Sequence, residues 1–152
     1  MILSGRNQRG LSKIEIVRCQ QIWKFLCGNK KLELVIIAAH KHSSRTRFLE
    51  NENRVYLGAD VKPGSGIEAN ARMSIVACLA HELAHVQRFE MGFRRTFDFP
   101  DNLIDEAETS LHASCFTQIG IKDREDLIED ARDRLIQWLS ETGRRSRNES
   151  GT

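Results

Sequence analysis

Few features of the sequence would place the chain in a membrane or outside the cell. Its longest apolar run, residues 34–39 (LVIIAA), has six residues, whereas a membrane-spanning helix needs about 20. The N-terminal region contains Arg6 and Arg9 but lacks the apolar core of a secretory signal peptide. These absences predict a protein with no membrane partner, and we expect a cytoplasmic location.

Cysteine pairs with metal-binding or redox spacing are also missing. The four cysteines, Cys19, Cys27, Cys78 and Cys115, form no CxxC pair and fall within apolar helical patterns. Isolated cysteines of this kind are usually reduced and buried, whereas small secreted domains use cysteines as a disulfide framework. We therefore expect four free, buried thiols and no metal site built from cysteine.

A large charge of one sign is missing as well. The chain has 23 Lys and Arg against 21 Asp and Glu, a net charge of +2 at pH 7, which does not by itself indicate nucleic-acid binding. Basic residues cluster at Arg45 and Arg47, at Arg94 and Arg95, and at Arg144, Arg145 and Arg147. A solvated surface is the simpler interpretation of such clusters. We expect a monomer.

The length and composition are typical of one compact domain. A chain of 152 residues with 40% hydrophobic and 29% charged residues can close a single core and is not expected to be disordered. We predict one domain over residues 1–143. The polar residues 144–152 are predicted to form a disordered tail.

Capping signals predict where the helices begin. A capping box at Ser12 and Glu15 predicts a helix over residues 13–27, and a second box starting at Ser65 predicts a helix over residues 66–91. Apolar residues at helical spacing support both helices.

Two further helices are predicted in the C-terminal half. Asp101 can cap a helix over residues 102–119, and Asp123 can cap another over residues 124–142. β-Branched and alternating apolar residues predict strands earlier in the chain, at residues 32–39 and 54–60.

The motif His81-Glu82-Leu83-Ala84-His85 lies within the predicted helix 66–91. Residues four apart project from one face of a helix, so His81 and His85 can bind one Zn²⁺. Glu82 lies beside the metal, where a general base can take the proton of a zinc-bound water. The pattern occurs by chance in roughly one chain of this length in a hundred. It predicts a zinc site, and the alternative is an amphipathic helix with partly buried histidines.

A catalytic zinc needs a third protein ligand, and the predicted helix 102–119 offers two glutamates. Glu106 has Ser110 one turn later, which can hydrogen-bond to a ligand, and its neighbours are small enough for close helix packing. The apolar stripe, by contrast, is centred nearer to Glu108 and consists of Ile104, Ala107, Leu111, Cys115 and Ile119. Glu106, Glu108 and His112 all remain candidates.

The HELAH motif followed by Glu106-Ala107-Glu108-Thr109-Ser110 resembles the gluzincin class of zinc metallopeptidases, in which a glutamate on a later helix is the third ligand. The size and the order of strands and helices most resemble the minimal ImmA/IrrE-like bacterial proteases. The resemblance covers residues 54–117 and favours Glu106 as the ligand. The chain departs from it at Thr109 and Ser110, where many gluzincins have alanine and then aspartate or asparagine.

This resemblance implies an α+β fold with a small, mainly antiparallel sheet, an active-site helix, a glutamate helix and packing helices at both ends. Two strands are fewer than such a sheet needs, so residues 40–53 or residues 1–3 are expected to contribute another. Residues 54–60 would form the rim strand against which an extended substrate pairs. Tyr56 on that strand is a candidate for substrate binding.

An acyl-transfer site also needs a donor that stabilises the oxyanion. Tyr56, His112 and an arginine from the Arg94-Arg95 segment are the candidates. None of them is singled out by its spacing.

Together these features predict a zinc-dependent endopeptidase that cuts a protein or peptide partner, with Glu82 activating the water. The alternative is a non-catalytic module in which zinc joins two helices and basic loops bind nucleic acid or an acidic protein. A structural zinc site usually closes all four positions, often with cysteines, and has no use for the carboxylate of Glu82. The peptidase is therefore the preferred interpretation.

Overall fold

The computed structural model describes residues 5–151, which contain five α-helices and a three-stranded sheet. The elements are α1 (Lys13–Cys27), β1 (Leu34–Val35), β2 (Arg47–Leu49), β3 (Arg54–Tyr56), α2 (Ala69–Arg72), α3 (Ile75–Glu90), α4 (Asn102–Ser114) and α5 (Ile121–Ser150). A short 3-10 helix covers Ala59–Val61. The expected α+β class is confirmed.

The sheet is mixed, with the strand order β1-β3-β2. β3 pairs in parallel with β1 and antiparallel with β2, so the expectation of a mainly antiparallel sheet is wrong. Because β3 is the central strand, the prediction that residues 54–60 form a rim strand is also wrong. The edge strand β2 lies within residues 40–53, which confirms one of the two places considered for a further strand. The other place, residues 1–3, lies outside the described residues.

Helix α1 has the bounds that its capping box predicts. The hydroxyl of Ser12 accepts a hydrogen bond from the Glu15 N–H at 3.2 Å, and the Glu15 carboxylate accepts one from the Ser12 N–H at 3.0 Å. Gly28 follows the helix with φ 60°, a backbone conformation that costs glycine little. Local signals are sufficient here because both ends of the helix are defined by neighbouring residues.

The long helix predicted over residues 66–91 is divided into α2 and α3. Met73 and Ser74 have extended backbones between the two helices. Ser65 is exposed and precedes α2 by several residues, and Glu68, the N-cap of α2, makes no side-chain capping bond. The second predicted capping box is therefore wrong.

Ser74 is the residue that starts α3. Its hydroxyl accepts from the Ala77 N–H at 3.0 Å and donates to Asp123 Oδ1 at 2.6 Å, while its N–H donates to Asp126 Oδ2 at 3.0 Å. Both carboxylates belong to α5. The start of α3 is thus determined by side chains about 50 residues away along the chain.

The last two helices differ in length from the prediction. α4 ends at Ser114, before the predicted end at residue 119, and α5 begins at Ile121 and continues to Ser150. The segment expected to be a disordered tail is helical through Ser150, and Arg145 in it donates a hydrogen bond to the carbonyl of Phe99. No helix within residues 5–151 has the length and apolar content needed to cross a bilayer.

Helix α3 lies at the centre of the core. Every residue from 77 to 86 is buried, so the helix is enclosed on all sides by α1, the sheet, α4 and α5. Of the four free cysteines, Cys19 and Cys78 are buried as expected, but Cys27 is half-buried and Cys115 is exposed. The histidines and glutamate of the HELAH motif are therefore core residues.

Candidate metal centre

His81 and His85 on α3 face Glu106 on α4. The Nε2 atoms of His81 and His85 lie 2.8 Å and 3.3 Å from Oε2 of Glu106, and one ligand atom from each residue falls within 4.8 Å of the others. Both histidines are buried, and their rings pack edge to face with centroids 4.7 Å apart. The spacing of four residues on a helix gives this arrangement, because it places both imidazoles on the side of α3 that contacts α4.

This group could hold a metal ion, and its donor set fits zinc. Two imidazoles and one carboxylate are the protein ligands of many catalytic zinc sites, which keep the fourth position open. Tetrahedral zinc places its ligand atoms about 3.3–3.5 Å apart, a spacing that His85 and Glu106 already have. The 2.8 Å between His81 and Glu106 would widen by about 0.5 Å.

Charges at the cluster favour a cation. Burial raises the pKa of Glu106, but hydrogen bonds and charges from His81 and His85 outweigh it and hold that pKa well below the usual range. Burial lowers the pKa of His81, and here the interaction with Glu106 prevails, so the pKa is raised. The carboxylate of Glu106, held in its charged form, supplies the negative charge that attracts a cation, and an ion bound here would displace the proton that Glu106 favours on His81.

Glu82 is a buried carboxyl group next to the cluster. Only 8% of the residue is exposed, and its Oε2 atom is buried without a hydrogen-bond partner within the described structure. Burial raises the pKa of Glu82, with the charges of His85 and His81 acting in the opposite direction. A buried polar atom without a partner is costly to the fold. The structure thus leaves one carboxylate oxygen available for chemistry.

The buried face of α4 determines which glutamate joins the histidines. Helix α4 buries mainly small or polar side chains, Leu103, Asp105, Ala107, Thr109, Ser110, Ala113 and Ser114, whereas Leu111 of the predicted apolar stripe is 42% exposed. The Glu106 side chain is 15% exposed. The Glu108 side chain is 54% exposed and binds Arg88 at 3.0 Å. His112 binds the side chain of Gln87 at 2.8 Å, so only Glu106 of the three candidates is brought to the histidines.

Arg95 binds the other oxygen of Glu106. Its Nη2 donates to Glu106 Oε1 at 2.7 Å, and its Nη1 donates to the carbonyl of Phe48 in β2 at 3.1 Å. The Arg95 backbone N–H donates to Glu50 at 2.6 Å. Burial lowers the pKa of Arg95, but Glu106 and Glu82 outweigh this and raise it. Arg95 therefore stays charged and leaves Oε2 of Glu106 facing the histidines.

The ring nitrogen of His81 that faces away from Glu106 is hydrogen-bonded to a hydroxyl group. Nδ1 of His81 lies 2.8 Å from Oγ of Ser110, which donates to Oδ2 of Asp130 on α5 at 2.6 Å. Arg134 Nε donates to the same oxygen at 2.9 Å. The sequence predicts the bond from Ser110 to a ligand but misses Asp130. A signal was present in the sequence, because Asp126 and Asp130 lie one turn apart and directly precede the apolar residues Leu127 and Ala131, and the structure buries all four.

Tyr56 is not brought to the cluster. Its hydroxyl donates to Glu52, and Arg47 lies over its ring. Side chains alternate along a strand, so Tyr56 points away from the face on which its neighbour Val55 is buried. Phe48 of β2 contributes the aromatic contact instead, stacking on His85 with centroids 6.5 Å apart. No local pattern in the sequence distinguishes Phe48 from other core aromatic residues.

Comparisons of the chain with models of protein families, with curated proteins and with solved structures found no match. The resemblance of the HELAH segment to gluzincins stays a prediction.

Proposed function

We propose that the chain is a zinc-dependent peptidase that hydrolyses a peptide bond in a protein or peptide partner. The observation that carries the proposal is the convergence of His81 Nε2, His85 Nε2 and Glu106 Oε2 beside a buried glutamate. That glutamate, Glu82, has a carboxylate oxygen with no hydrogen-bond partner among residues 5–151. Three ligands and one free base are the parts that metal-assisted hydrolysis requires.

Each residue has a separate role in this proposal. His81, His85 and Glu106 hold the ion. When bound, zinc supplies Lewis acidity, which makes water acidic near neutral pH and polarises a carbonyl group. Glu82 accepts the proton of the attacking water and returns it to the leaving amine. The raised pKa of Glu82 suits a group that both takes and gives a proton.

Arg95 supplies a fixed positive charge at the cluster. Its guanidinium binds Glu106 at 2.7 Å, and the charge of Glu82 contributes to its raised pKa. Peptide hydrolysis develops negative charge on the carbonyl oxygen, and a preorganised cation nearby stabilises that charge. We therefore assign electrostatic stabilisation to Arg95 and not to Tyr56, whose hydroxyl is engaged by Glu52.

The alternative of a zinc-joined binding module with basic loops has less support. Arg94 binds the carbonyls of Phe89 and Phe93, and Arg95 binds Glu106 and the carbonyl of Phe48. These arginines thus have partners within the fold. A module that only binds would also have no need of the buried, unpartnered oxygen of Glu82.

The test compares the wild type with Glu82→Gln. The purified protein is expected to contain one zinc per chain by elemental analysis and to cleave members of a proteome-derived peptide library. Glu82→Gln should keep the zinc and lose roughly 10²–10⁴-fold in cleavage rate, the usual contribution of a general base.

Glu90→Gln is the matched control. Glu90 is at the end of the same helix, and its side chain is 40% exposed and pairs with Lys30. This variant should cleave as the wild type does. Absence of stoichiometric zinc, or full activity of Glu82→Gln, would contradict the proposed function.

A further inference from the structure

We propose that Ser110 and Asp130 are positioning residues that hold His81 in the tautomer able to bind zinc. The inference rests on the proposed function for the identity of the ion. It starts from a continuous chain of hydrogen bonds that leaves the metal centre on the side away from Glu106. His81 Nδ1 lies 2.8 Å from Ser110 Oγ, and Ser110 Oγ lies 2.6 Å from Asp130 Oδ2.

The direction of these bonds follows from the number of protons available. The carboxylate of Asp130 can only accept, and it also accepts a bond from the guanidinium of Arg134 at 2.9 Å. The hydroxyl of Ser110 has one proton, which it donates to Asp130. Its oxygen must then accept from His81, so the proton of the imidazole lies on Nδ1. Nε2 is then the atom that a zinc ion would bind, in place of the proton that Glu106 accepts at 2.8 Å while the imidazole is charged.

Burial keeps this chain in one arrangement. Ser110 is 0% exposed and Asp130 is 1% exposed, so bulk water does not compete for either group. Hydrogen bonds in such surroundings are stronger and more directional than at a surface. The carboxylate of Asp130, acting through Ser110, also makes Nε2 of the imidazole more basic, which raises its affinity for a metal ion. Helix α5 therefore contributes to the metal centre without providing a ligand.

If the hydrogen bonds from His81 through Ser110 to Asp130 only held the helices together, different results would be expected. They would contribute to stability equally well with either tautomer of His81, and their loss would lower the melting temperature without changing zinc affinity in the folded protein. The two interpretations are separated by measurements on the folded state.

The first measurement is zinc affinity by competition with a chromophoric chelator. Ser110→Ala removes the hydroxyl and leaves Asp130 paired with Arg134, and it should weaken zinc binding by roughly 10–100-fold. Asp130→Asn keeps the size of the side chain, removes its charge and should also weaken zinc binding. Ser114→Ala is the matched control, because Ser114 is a buried serine one turn further along α4 whose hydroxyl binds the Leu111 carbonyl.

Ser114→Ala should bind zinc with wild-type affinity. Unchanged affinity in either Ser110→Ala or Asp130→Asn overturns the positioning role.

The second measurement is the tautomer of His81, read from long-range ¹H–¹⁵N spectra. The zinc-loaded wild type should carry the proton on Nδ1, and so should the metal-free protein at alkaline pH, where the imidazole is neutral. Metal-free Ser110→Ala should lose this preference. If the wild type takes up no zinc, the proposed function fails, yet a proton on Nδ1 in the metal-free protein still supports the role of Ser110 and Asp130. A proton on Nε2 overturns it.

Discussion

Glu106 and Glu108 lie two residues apart on α4 and have opposite surroundings. Glu106 is enclosed by His81, His85 and Arg95, whereas Glu108 is largely exposed and binds Arg88. Residues two apart on a helix point about 200° away from each other. Only one of the two glutamates can therefore face the histidines, and the other then faces solvent.

Exchange of each glutamate for glutamine tests this assignment. Glu106→Gln should weaken zinc binding by more than about 100-fold, because the loss of a metal ligand reduces affinity more than the loss of a residue that hydrogen-bonds to a ligand. Glu108→Gln should leave the affinity unchanged. Isothermal titration with zinc measures both, and a stronger effect at Glu108 would contradict the ligand set.

The sequence predicted His81, Glu82 and His85 because all three lie within five residues of one helix, where spacing determines geometry. It left the third ligand open because the buried face of α4 is polar and small, and apolar periodicity does not detect such a face. Asp130 was missed because its place beside the apolar residues of α5 indicates burial but does not indicate which residue of another helix it contacts.

At the scale of elements, the start of α3 orients the motif. Ser74 caps the helix seven residues before His81 and binds Asp123 and Asp126 of α5. A helix can rotate or shift in register if its first turn is not fixed, and the histidines would move with it. The cap thus connects the position of the metal ligands to α5.

Ser74→Ala should destabilise the metal-free protein by about 1–2 kcal/mol, the upper part of the range for a lost N-cap. Urea unfolding followed by circular dichroism measures the change. Ser65→Ala is the control, because Ser65 is an exposed serine that caps no helix in the structure. Equal destabilisation by both substitutions would show that the cap at Ser74 has no special role.

Prediction of the elements succeeded where the determinants are local. Helix α1 has the predicted bounds because its capping box and its glycine are adjacent to it. The break at Met73 and Ser74 was missed because it depends on carboxylates from α5. The strands are two or three residues long, which is too short for alternation to define their order or direction.

For the whole molecule, the centre joins three helices that follow one another along the chain. His81 belongs to α3, Glu106 and Ser110 to α4, and Asp130 to α5, and the residues make direct contacts. An ion bound there would connect α3 to α4 only in the folded state. Binding to the folded state alone stabilises it by mass action.

Zinc at about 1,000 times its Kd should therefore stabilise the protein by about 4 kcal/mol. For a chain of this size the melting temperature Tm should rise by about 8–16 °C. Differential scanning fluorimetry with zinc and with a chelator measures the shift. The Glu106→Gln protein serves as the control, and an equal rise in Tm for this variant would place the bound zinc elsewhere.

Arg95 has a consequence for any ligand that approaches along β2. The carbonyl of Phe48 in this edge strand already accepts a hydrogen bond from Arg95. A peptide N–H that paired with this carbonyl would either share it with the charge-assisted bond from Arg95 or displace that bond, so the net gain would be small. Backbone pairing would then contribute little to affinity. Selection among peptides would then depend on their side chains. A good ligand would be one whose side chain offers the guanidinium of Arg95 a new hydrogen-bond acceptor.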